Sequence, residues 1–329
     1  MPLINRCGGG GGTPQLCGQV ENFKVLPGTT ALTAALSWTA PSPDEDNSFV
    51  GARIVRKIGS APTGISDGTV VYEGTALTYT DTGLTDGTTY YYRAFAYNAK
   101  KKYQTEYRVA SLTAIAIYSN FADNDWDIII EACHSGNVPD TWVAGDSKTM
   151  TIDGANYQFD IVGKNHDSYT AGGIAPLTFG LHDCYGTKYP MNSSATSSTG
   201  WYNSKMRTET LTAILAKMPE NIQNGIRAID KLTATSGSNS TTKTTSDKLF
   251  IFSTMEVDGS AASGEEKQYD YYKAGNSKVK KVGSTASMWW LRSPIKNFGG
   301  SFDTVSAGGS AGYSSNATES HGVCFGFCF

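Results

Sequence analysis

Alternation of apolar and polar positions divides the chain into an all-β part and a mixed part. Across residues 20–113, short apolar runs recur with the two-residue period of half-buried strands. The clearest run, TTYYYRAFAYN at 88–98, has the composition of a long strand. Turn dipeptides such as Asp67-Gly68 and Asp86-Gly87 separate the runs at short spacing. This pattern predicts a β-sandwich.

After Thr113 the pattern becomes mixed, and short strands are predicted around a helical middle. The segment TMTIDGANYQFDIVG indicates a β-hairpin whose turn is Asp153-Gly154. Further short strands are predicted at 175–179 and at 249–252, where the residues are almost all apolar. The fold class expected for the chain is therefore mainly β with some α: a sandwich followed by an α+β domain.

Two apolar stripes with helical spacing lie in the middle of this second domain. The first is formed by Leu211, Ile214, Leu215 and Met218, and the second by Ile222, Ile226, Ile229 and Leu232. Spacing of three and four residues predicts two helices that pack against a sheet. The Ser/Thr-rich residues 233–245 that follow are predicted to form a loop.

The C-terminal stretch from Trp289 has three parts of different character. WWLRSP is apolar and GVCFGFCF alternates as a strand does, whereas 295–321 is rich in Gly, Ser, Asn, Ala and Thr with single aromatic residues. Such a segment has little apolar surface with which to order itself. The composition of this segment, which is polar with single aromatic residues and is held between two strands, resembles that of an antibody paratope. A surface loop without a binding role is the alternative interpretation.

Composition and charge exclude several partners. A length of 329 residues suggests two or three domains, and a formal charge of −3 gives no electrostatic basis for nucleic-acid binding. No apolar run reaches the length of a transmembrane helix and no signal peptide is visible, so we expect no membrane insertion. Abundant Gly and Tyr favour a turn-rich extracellular protein.

The cysteines and histidines give no pattern typical of a metal site. The cysteines are widely spaced and form no Cys-x-x-Cys pair, and the histidines lack metal-ligand spacing. We expect mostly reduced, buried cysteines, no catalytic residue, no metal and no cofactor. The six cysteines are Cys7, Cys17, Cys133, Cys184, Cys324 and Cys328.

Residues 1–19 form a Gly-rich N-terminal arm. Five consecutive glycines at 8–12 do not hold one conformation at low entropic cost. The arm is interpreted as an attachment segment, with a flexible tether as the alternative.

Residues 20–113 resemble a fibronectin type III domain. Trp38 on an early strand and the Leu84-x5-Tyr90 spacing carry the resemblance. It implies that Trp38 lies in the core and that Tyr90 is the tyrosine-corner residue, both in structural roles. Such a module would act as a spacer.

Residues 114–329 resemble the variable proteins of diversity-generating retroelements, which have a C-type lectin fold. The resemblance rests on seven segments in order: TWVAGD, NYQFDIVG, APLTFGL, GWYNSKMR, DKLFIFS, WWLRSP and GVCFGFCF. In that family the segment before the last strand is hypervariable and displayed for ligand binding. Calcium-type lectin motifs are absent, so calcium-mediated sugar binding is not expected.

The resemblance places the ligand-binding, variable positions between 295 and 321. Phe298, Tyr313 and His321 are the strongest candidates for binding energy, because aromatic side chains dominate interface hot spots. The variable positions are expected to be Ile295, Asn297, Phe298, Gly299, Gly300, Ser301, Asp303, Ser306, Ser310, Gly312, Tyr313, Ser314, Ser315, Ser320 and His321.

The function implied by the resemblance is non-enzymatic recognition of a receptor, as by a phage tail adhesin. The expected partners are a host or target surface protein or glycan and virion tail components, at the phage tail or a cell surface. A homotrimer would suit a tail fibre and would add avidity. Two alternatives remain: a structural virion or cell-surface component without a specific ligand, and an oxidase of the formylglycine-generating type, which shares the fold and uses cysteines.

Overall fold

The computed structural model describes residues 17–28, 30, 32–41, 49–106, 108–114, 116–198, 200–235, 238–259, 265–295 and 298–329. The chain forms two compact units, Met1–Tyr118 and Ser119–Phe329. The division falls after Tyr118, where the sequence pattern placed it after Thr113. Most of the predicted N-terminal arm, residues 1–16, lies outside the described part. Its last residues join the first unit: Cys17 is buried, and Gln19 Nε2 donates to Ala94 O at 3.2 Å.

The first unit is a fibronectin type III-like β-sandwich of two antiparallel sheets. One sheet has the order β1-β2-β5 and the other β4-β3-β6-β7. The strands are β1 (Glu21–Pro27), β2 (Ala34–Thr39), β3 (Phe49–Ile58), β4 (Thr69–Gly74), β5 (Thr78–Asp81), β6 (Thr89–Asn98) and β7 (Arg108–Thr113).

Trp38 and Tyr90 occupy the structural positions predicted for them. Trp38 is 3% exposed and its ring lies 5.4 Å from that of Tyr72. The hydroxyl of Tyr90 accepts a hydrogen bond from the backbone N–H of Thr85 at 3.1 Å, which is the bond of a tyrosine corner. The aromatic residues of this unit therefore build its core.

The second unit contains fourteen strands, β8 to β21, and five α-helices within the described residues. The helices are α1 (Trp126–Ser135), α2 (Leu211–Leu215), α3 (Glu220–Gly225), α4 (Thr254–Asp258) and α5 (Asp270–Lys273). Single turns of other helix types lie at Phe121–Asp123, Trp201–Asn203 and Met206–Thr210. The first strands are β8 (Ser147–Ile152), β9 (Ala155–Lys164), β10 (Leu177–Leu181), β11 (Tyr189–Pro190), β12 (Ile229–Thr235), β13 (Ser238–Asp247) and β14 (Phe250–Ile251). The later strands are β15 (Lys280–Val282), β16 (Thr285–Ser287), β17 (Trp289–Pro294), β18 (Ser301–Val305), β19 (Tyr313–Asn316), β20 (Ser320–His321) and β21 (Phe325–Cys328).

The central sheet of this unit has the order β14-β21-β10-β9-β8 and is antiparallel throughout. Its hairpin β8–β9 confirms the predicted turn, in which Asp153 and Gly154 both have positive φ, at 50° and 79°. The final strand β21 is buried on both faces. Phe179 and Phe327 meet with ring centroids 5.3 Å apart, so β21 lies in the core of the unit.

The second predicted helix is wrong over most of its length. Helix α3 ends at Gly225, and Ile226 already has an extended backbone. The chain then alternates as strand β12, with Ile229, Lys231 and Thr233 buried. The buried residues 222, 226 and 229 have the spacing of a helical stripe, although the chain changes from helix to strand between them.

The predicted loop that follows this stripe is also wrong. Residues 233–245, expected to form a loop, belong mainly to the β12–β13 hairpin. Helix α1 has no counterpart among the predicted elements. Thr and Ser fit a strand as well as a loop, and the pairing of β12 with β13 decides between them.

In the described residues, no helix combines the length and the apolar character needed to cross a membrane.

We expect Trp290→Ala to destabilise the second unit strongly. Trp290 is fully buried, and its indole N–H donates to Tyr189 O at 2.8 Å. Truncation of such a side chain lowers the free energy of unfolding by about 3–5 kcal/mol. Denaturant unfolding of the whole chain measures this change.

The matched control is Tyr313→Ala, which removes an aromatic side chain that is 52% exposed. Its free energy of unfolding should shift by no more than about 0.5 kcal/mol. Equal destabilisation by the two substitutions would contradict the assignment of Tyr313 to the surface.

Candidate functional site

The segment predicted to be variable is folded onto a three-stranded antiparallel sheet with the order β17-β18-β19. In the register, Trp290 pairs with Thr304 and Phe302 with Ser315. Its second end is fixed by β20, where His321 pairs with Tyr189 of β11. The expectation that this segment lacks the surface to order itself is therefore wrong.

A small set of buried residues inside the segment explains this order. Phe302, Thr304, Val305 and Ala317 are all fully buried. Thr304 Oγ1 also donates to Tyr313 O at 2.8 Å, so its polar atom is satisfied. The segment thus has its own apolar anchors between the polar positions, and they attach it to the core.

The predicted positions divide by exposure. The exposed ones are Phe298, Gly299, Ser310, Gly312, Tyr313, Ser314 and Ser320. The partly buried ones are Ile295, Gly300, Ser301, Asp303, Ser306 and His321. Ser315 is buried, and Asn297 lies outside the described residues. Phe298 and Tyr313 are 63% and 52% exposed, so both aromatic side chains are accessible from solvent.

The turn at 298–300 is held against a neighbouring loop. Ser197 N–H donates to Gly299 O at 2.7 Å, and Ala317 N–H donates to Gly300 O at 2.9 Å. A Cβ at Gly300 would lie 2.9 Å from Ala195 O, so the backbone there requires glycine. Among the predicted variable positions, Gly300 is therefore restricted by packing.

Asp303 lies between the surface and the core. Its carboxylate accepts a hydrogen bond from Thr254 Oγ1 at 2.6 Å. Burial, with a contribution from the charge of Glu265, raises the pKa of Asp303 to about 6, although the Thr254 bond opposes the shift. A carboxyl group that titrates near neutral pH thus lies at the edge of the predicted surface.

Ser315, Glu319 and His321 form a hydrogen-bonded cluster at the other end of the segment. His321 Nε2 lies 2.6 Å from Ser315 Oγ and 3.3 Å from Glu319 Oε2, and Ser315 Oγ donates to the same carboxylate. The imidazole packs edge-on against Trp290, with ring centroids 4.7 Å apart. Burial lowers the pKa of His321, which favours the neutral ring.

This cluster lacks the geometry of a serine-hydrolase triad. In a triad the hydroxyl and the carboxylate bind opposite nitrogens of the imidazole, so that the acid orients the base. Here Ser315 and Glu319 share the single nitrogen Nε2. These hydrogen bonds fix the orientation of the His321 ring. This fits a role in positioning neighbouring groups or in contacting a ligand.

Beneath the sheet, Arg292 connects β17 to three other elements. Its Nε donates to Thr233 Oγ1 on β12 at 2.8 Å, and its Nη1 donates to Ile251 O of β14 at 3.0 Å. It also forms a two-pronged ion pair with Glu256 of α4, in which the Nη2–Oε1 distance is 3.0 Å. All of these groups are buried, so removing one partner would leave an uncompensated charge.

A second buried cation, Lys231, lies beside this pair. Its ammonium contacts Asp167 and is 2.7 Å from carboxylate oxygens of both Glu256 and Glu266. The three carboxylates are close enough together to ligate a metal ion. Because the ammonium contacts all three, it takes the position that a cation would occupy.

The sequence reasoning missed this network. Lys231 lies within the second predicted helix but not on its apolar stripe, and no role was predicted for Glu266. A usable signal exists in retrospect, since Arg292 interrupts the apolar run WWLRSP and Lys231 alternates with the buried Ile229 and Thr233. Charged residues at buried strand positions require partners, and those partners are distant in sequence.

The cysteines of the described residues are free thiols in the core. Cys17, Cys133, Cys184, Cys324 and Cys328 are buried, as expected, while Cys7 lies outside the described part. Burial raises the pKa of the Cys324 thiol to about 11, which keeps it protonated at neutral pH.

His182 lies beside a buried carboxylate. Its Nδ1 lies 2.8 Å from the buried carboxylate of Asp160, and this hydrogen bond raises its pKa. It borders a surface groove of about 320 Å³ that is also lined by Tyr157 and Lys281. The groove has no predicted site residue in its lining.

Comparison with protein families gives one match in the second unit. A family model described as a domain of unknown function, DUF6273, matches residues 178–328. The match includes the segment 295–321 and its flanking strands, but its description gives no activity. A search of curated proteins gives no match.

Comparison with solved structures gives β-sandwich domains. A fibronectin type III domain of human fibronectin type III domain containing protein 3 is 17% identical, covering 35% of this chain and 100% of that chain, with a TM-score of 0.27. The sixth such domain of that protein is 20% identical, covering 33% and 93%, with a TM-score of 0.25. A computationally redesigned β-sandwich protein is 25% identical, covering 30% and 96%, with a TM-score of 0.24.

We expect Asp303→Asn to stabilise the second unit at neutral pH. The folded state raises the pKa of Asp303 from its ordinary value to about 6, so it binds the proton more tightly than the unfolded state does. The stabilisation that this group gives the folded state is therefore present below about pH 4 and is lost as the pH rises through about 6. Asparagine remains neutral and can still accept the bond from Thr254, which should add about 1–3 kcal/mol at pH 7.

Chemical denaturation of both proteins between about pH 4 and pH 7 measures this difference. Asp140→Asn, at a fully exposed side chain, is the matched control and should leave the profile unchanged. If the free energies of unfolding of Asp303→Asn and the wild type differ by the same amount at every pH, the raised pKa of Asp303 is refuted.

Proposed function

We propose that this chain is a non-enzymatic receptor-binding protein that presents residues 295–321 as a replaceable surface. The scaffold proposed for the second unit is the C-type lectin fold of diversity-generating retroelement variable proteins. The fibronectin type III-like unit would space this surface from its anchor. The seven ordered sequence segments carry the family assignment, and the arrangement of the predicted positions supports it.

One observation carries the proposal: exposed and fixed residues are interleaved along the same short segment. Phe302, Thr304 and Val305 are fully buried, whereas Phe298 and Tyr313 extend into solvent. A segment built this way can change its exposed side chains without losing its anchors. This is the physical requirement for diversity without unfolding.

The exposed aromatic residues suit a binding role. Aromatic side chains provide large contact areas at low conformational cost and are enriched at interface hot spots. Ser310, Gly312 and Ser314, which lie close to Tyr313 in sequence, are exposed and add small, adaptable groups. The Tyr313 hydroxyl could then form hydrogen bonds to a protein or a glycan while its ring packs against it.

The frame behind this surface is suited to preorganisation. Strand β17 is buried along its full length, and Arg292 connects it to Thr233 and Glu256. A surface on a rigid frame loses less conformational entropy on binding. Affinity can then depend on the exposed side chains.

A binding role is favoured over thiol oxidation chemistry. Cys324 and Cys328 are fully buried, and burial raises the pKa of both thiols, so neither is prepared as a nucleophile. The proposed partners are a surface protein or glycan of a host cell and the components of a virion tail. Display at a phage tail or a cell surface, as a homotrimer, would add avidity to single sites.

The test is a pair of display libraries of the full-length chain. The first randomises Phe298, Ser310, Tyr313 and Ser314, and the second randomises the buried Phe302, Thr304, Val305 and Ala317. Protease resistance of each displayed variant reports whether it is folded. We expect most members of the first library, and few of the second, to remain resistant.

Binding is measured on the same first library, with intact cells from a panel of bacteria as the probe. Enrichment of folded variants that bind different strains is the expected result. A first library that is mostly unfolded would contradict the replaceable surface. A folded library without binders to any strain would favour the structural-component alternative.

A further inference from the structure

Lys231 has surroundings that an ordinary buried ion pair does not need. Its side chain is fully buried on β12, with the ammonium 4.3 Å from the ring centroid of Phe250. Four side-chain oxygens accept from it, those of Asp167, Glu256, Glu266 and Tyr269, the last at 2.8 Å. An ammonium has only three N–H donors, so the acceptors exceed the donors.

The Asp167 carboxyl group has surroundings suited to nucleophilic attack on its carbon. Its carboxylate contacts the Lys231 ammonium directly and is fully buried. The Tyr269 hydroxyl donates to its two oxygens at 3.1 and 2.9 Å, and Thr178 Oγ1 donates to Oδ2. Hydroxyl donors aimed at a carboxyl oxygen stabilise the negative charge that develops there when a nucleophile adds to the carbon.

We propose that Lys231 and Asp167 condense to form an intramolecular amide bond, with Glu256 and Glu266 transferring the protons. The new bond joins Lys231 Nζ to Asp167 Cγ. One carbon–oxygen bond of the carboxyl group breaks, and its oxygen leaves as water. The ammonium loses two protons, and both end on that leaving oxygen. No oxidant, reductant or other reactant is required.

The two glutamates suit different parts of this transfer. Glu256 is fixed by Arg292 and lies 2.7 Å from Lys231 Nζ, so it is positioned to accept the first proton. Burial raises the pKa of Glu266 to about 7, so this carboxyl group can bind and release a proton near neutral pH. It lies 2.7 Å from the same nitrogen.

The ground state before reaction is the ion pair. Burial alone would raise the pKa of Asp167, but the charge of Lys231 and the neighbouring His166 together outweigh it and lower the pKa. The reactive form, with a neutral amine and a neutral carboxyl group, is therefore a minor tautomer. A reaction that occurs once in the life of each molecule tolerates such a minor form.

The environment favours the product. Taking opposite charges out of water costs several kcal/mol per ion before their attraction is counted. Condensation removes one positive and one negative charge from a fully buried site. Arg292 then remains to balance the two glutamates. The same burial limits access of water to the finished amide.

The bond would link β12 to the segment after β9, closing a covalent loop from Asp167 to Lys231. This loop contains β10, β11 and helices α2 and α3. A covalent closure of this kind restricts the unfolded chain as a disulfide does. It needs no oxidising compartment.

Intact-mass spectrometry of the denatured full-length chain tests the proposal. The wild type should be lighter than its sequence mass by one water molecule, after any processing shared with Lys231→Arg. Lys231→Arg should have its full mass. Digestion should release a branched peptide that joins the segments of Asp167 and Lys231.

Asp167→Asn distinguishes this bond from any other dehydration. With an amide at the acyl position the leaving group becomes ammonia, so this variant should lose the mass of ammonia in place of water or should keep its full mass. Loss of water from Asp167→Asn, or from Lys231→Arg, would place the bond elsewhere and overturn the proposal.

Glu256→Gln and Glu266→Gln test proton transfer, with circular dichroism to establish that each variant is folded. A folded variant should form the bond at least tenfold more slowly, as expected for loss of a positioned acid or base. Wild-type protein that keeps its full mass after prolonged incubation in the folded state would refute the amide and leave a buried ion-pair network.

Discussion

The buried pairing of Arg292 with Glu256 is the constraint on which the second unit depends. It lies behind β17, and the side chains of both partners are fully buried. Because breaking such a pair leaves a buried charge, the strand is held in one position. Strand β18 pairs with β17, and β19 pairs with β18, so the position of both strands depends on that of β17. Lys231 extends the same network to Asp167, so β12 and the segment after β9 belong to the frame.

Within one short segment, the residues that stabilise the fold are separate from those proposed to bind a ligand. The segment is attached through residues such as Phe302 and Val305, while Phe298 and Tyr313 contribute little to its attachment. Gly300 shows the limit of the separation, since its backbone lies too close to Ala195 for a larger residue. The proposed replaceable surface thus depends on a few packed positions at which substitutions are not tolerated.

The sequence predicted the sandwich and the flanking strands well, because Tyr90 and its neighbours alternate clearly and local turn residues separate the strands. It failed at Lys231 and at residues 233–245, where tertiary pairing decides between helix, loop and strand. The Ser315–Glu319–His321 cluster also could not be predicted. Ser315 and His321 are predicted only as separate variable positions, and strand register brings them together with Glu319.

The central claim is that residues 295–321 vary while their anchors do not. Deep sequencing of the 3′ end of the gene from one population that carries it measures this directly. The account predicts that substitutions concentrate at exposed codons, such as those of Phe298 and Tyr313, and at positions whose template copy has adenine. It also predicts that the codons of Phe302, Val305 and Arg292 remain constant. A segment that is invariant across the population, or variation spread equally over anchors and surface, would contradict the account.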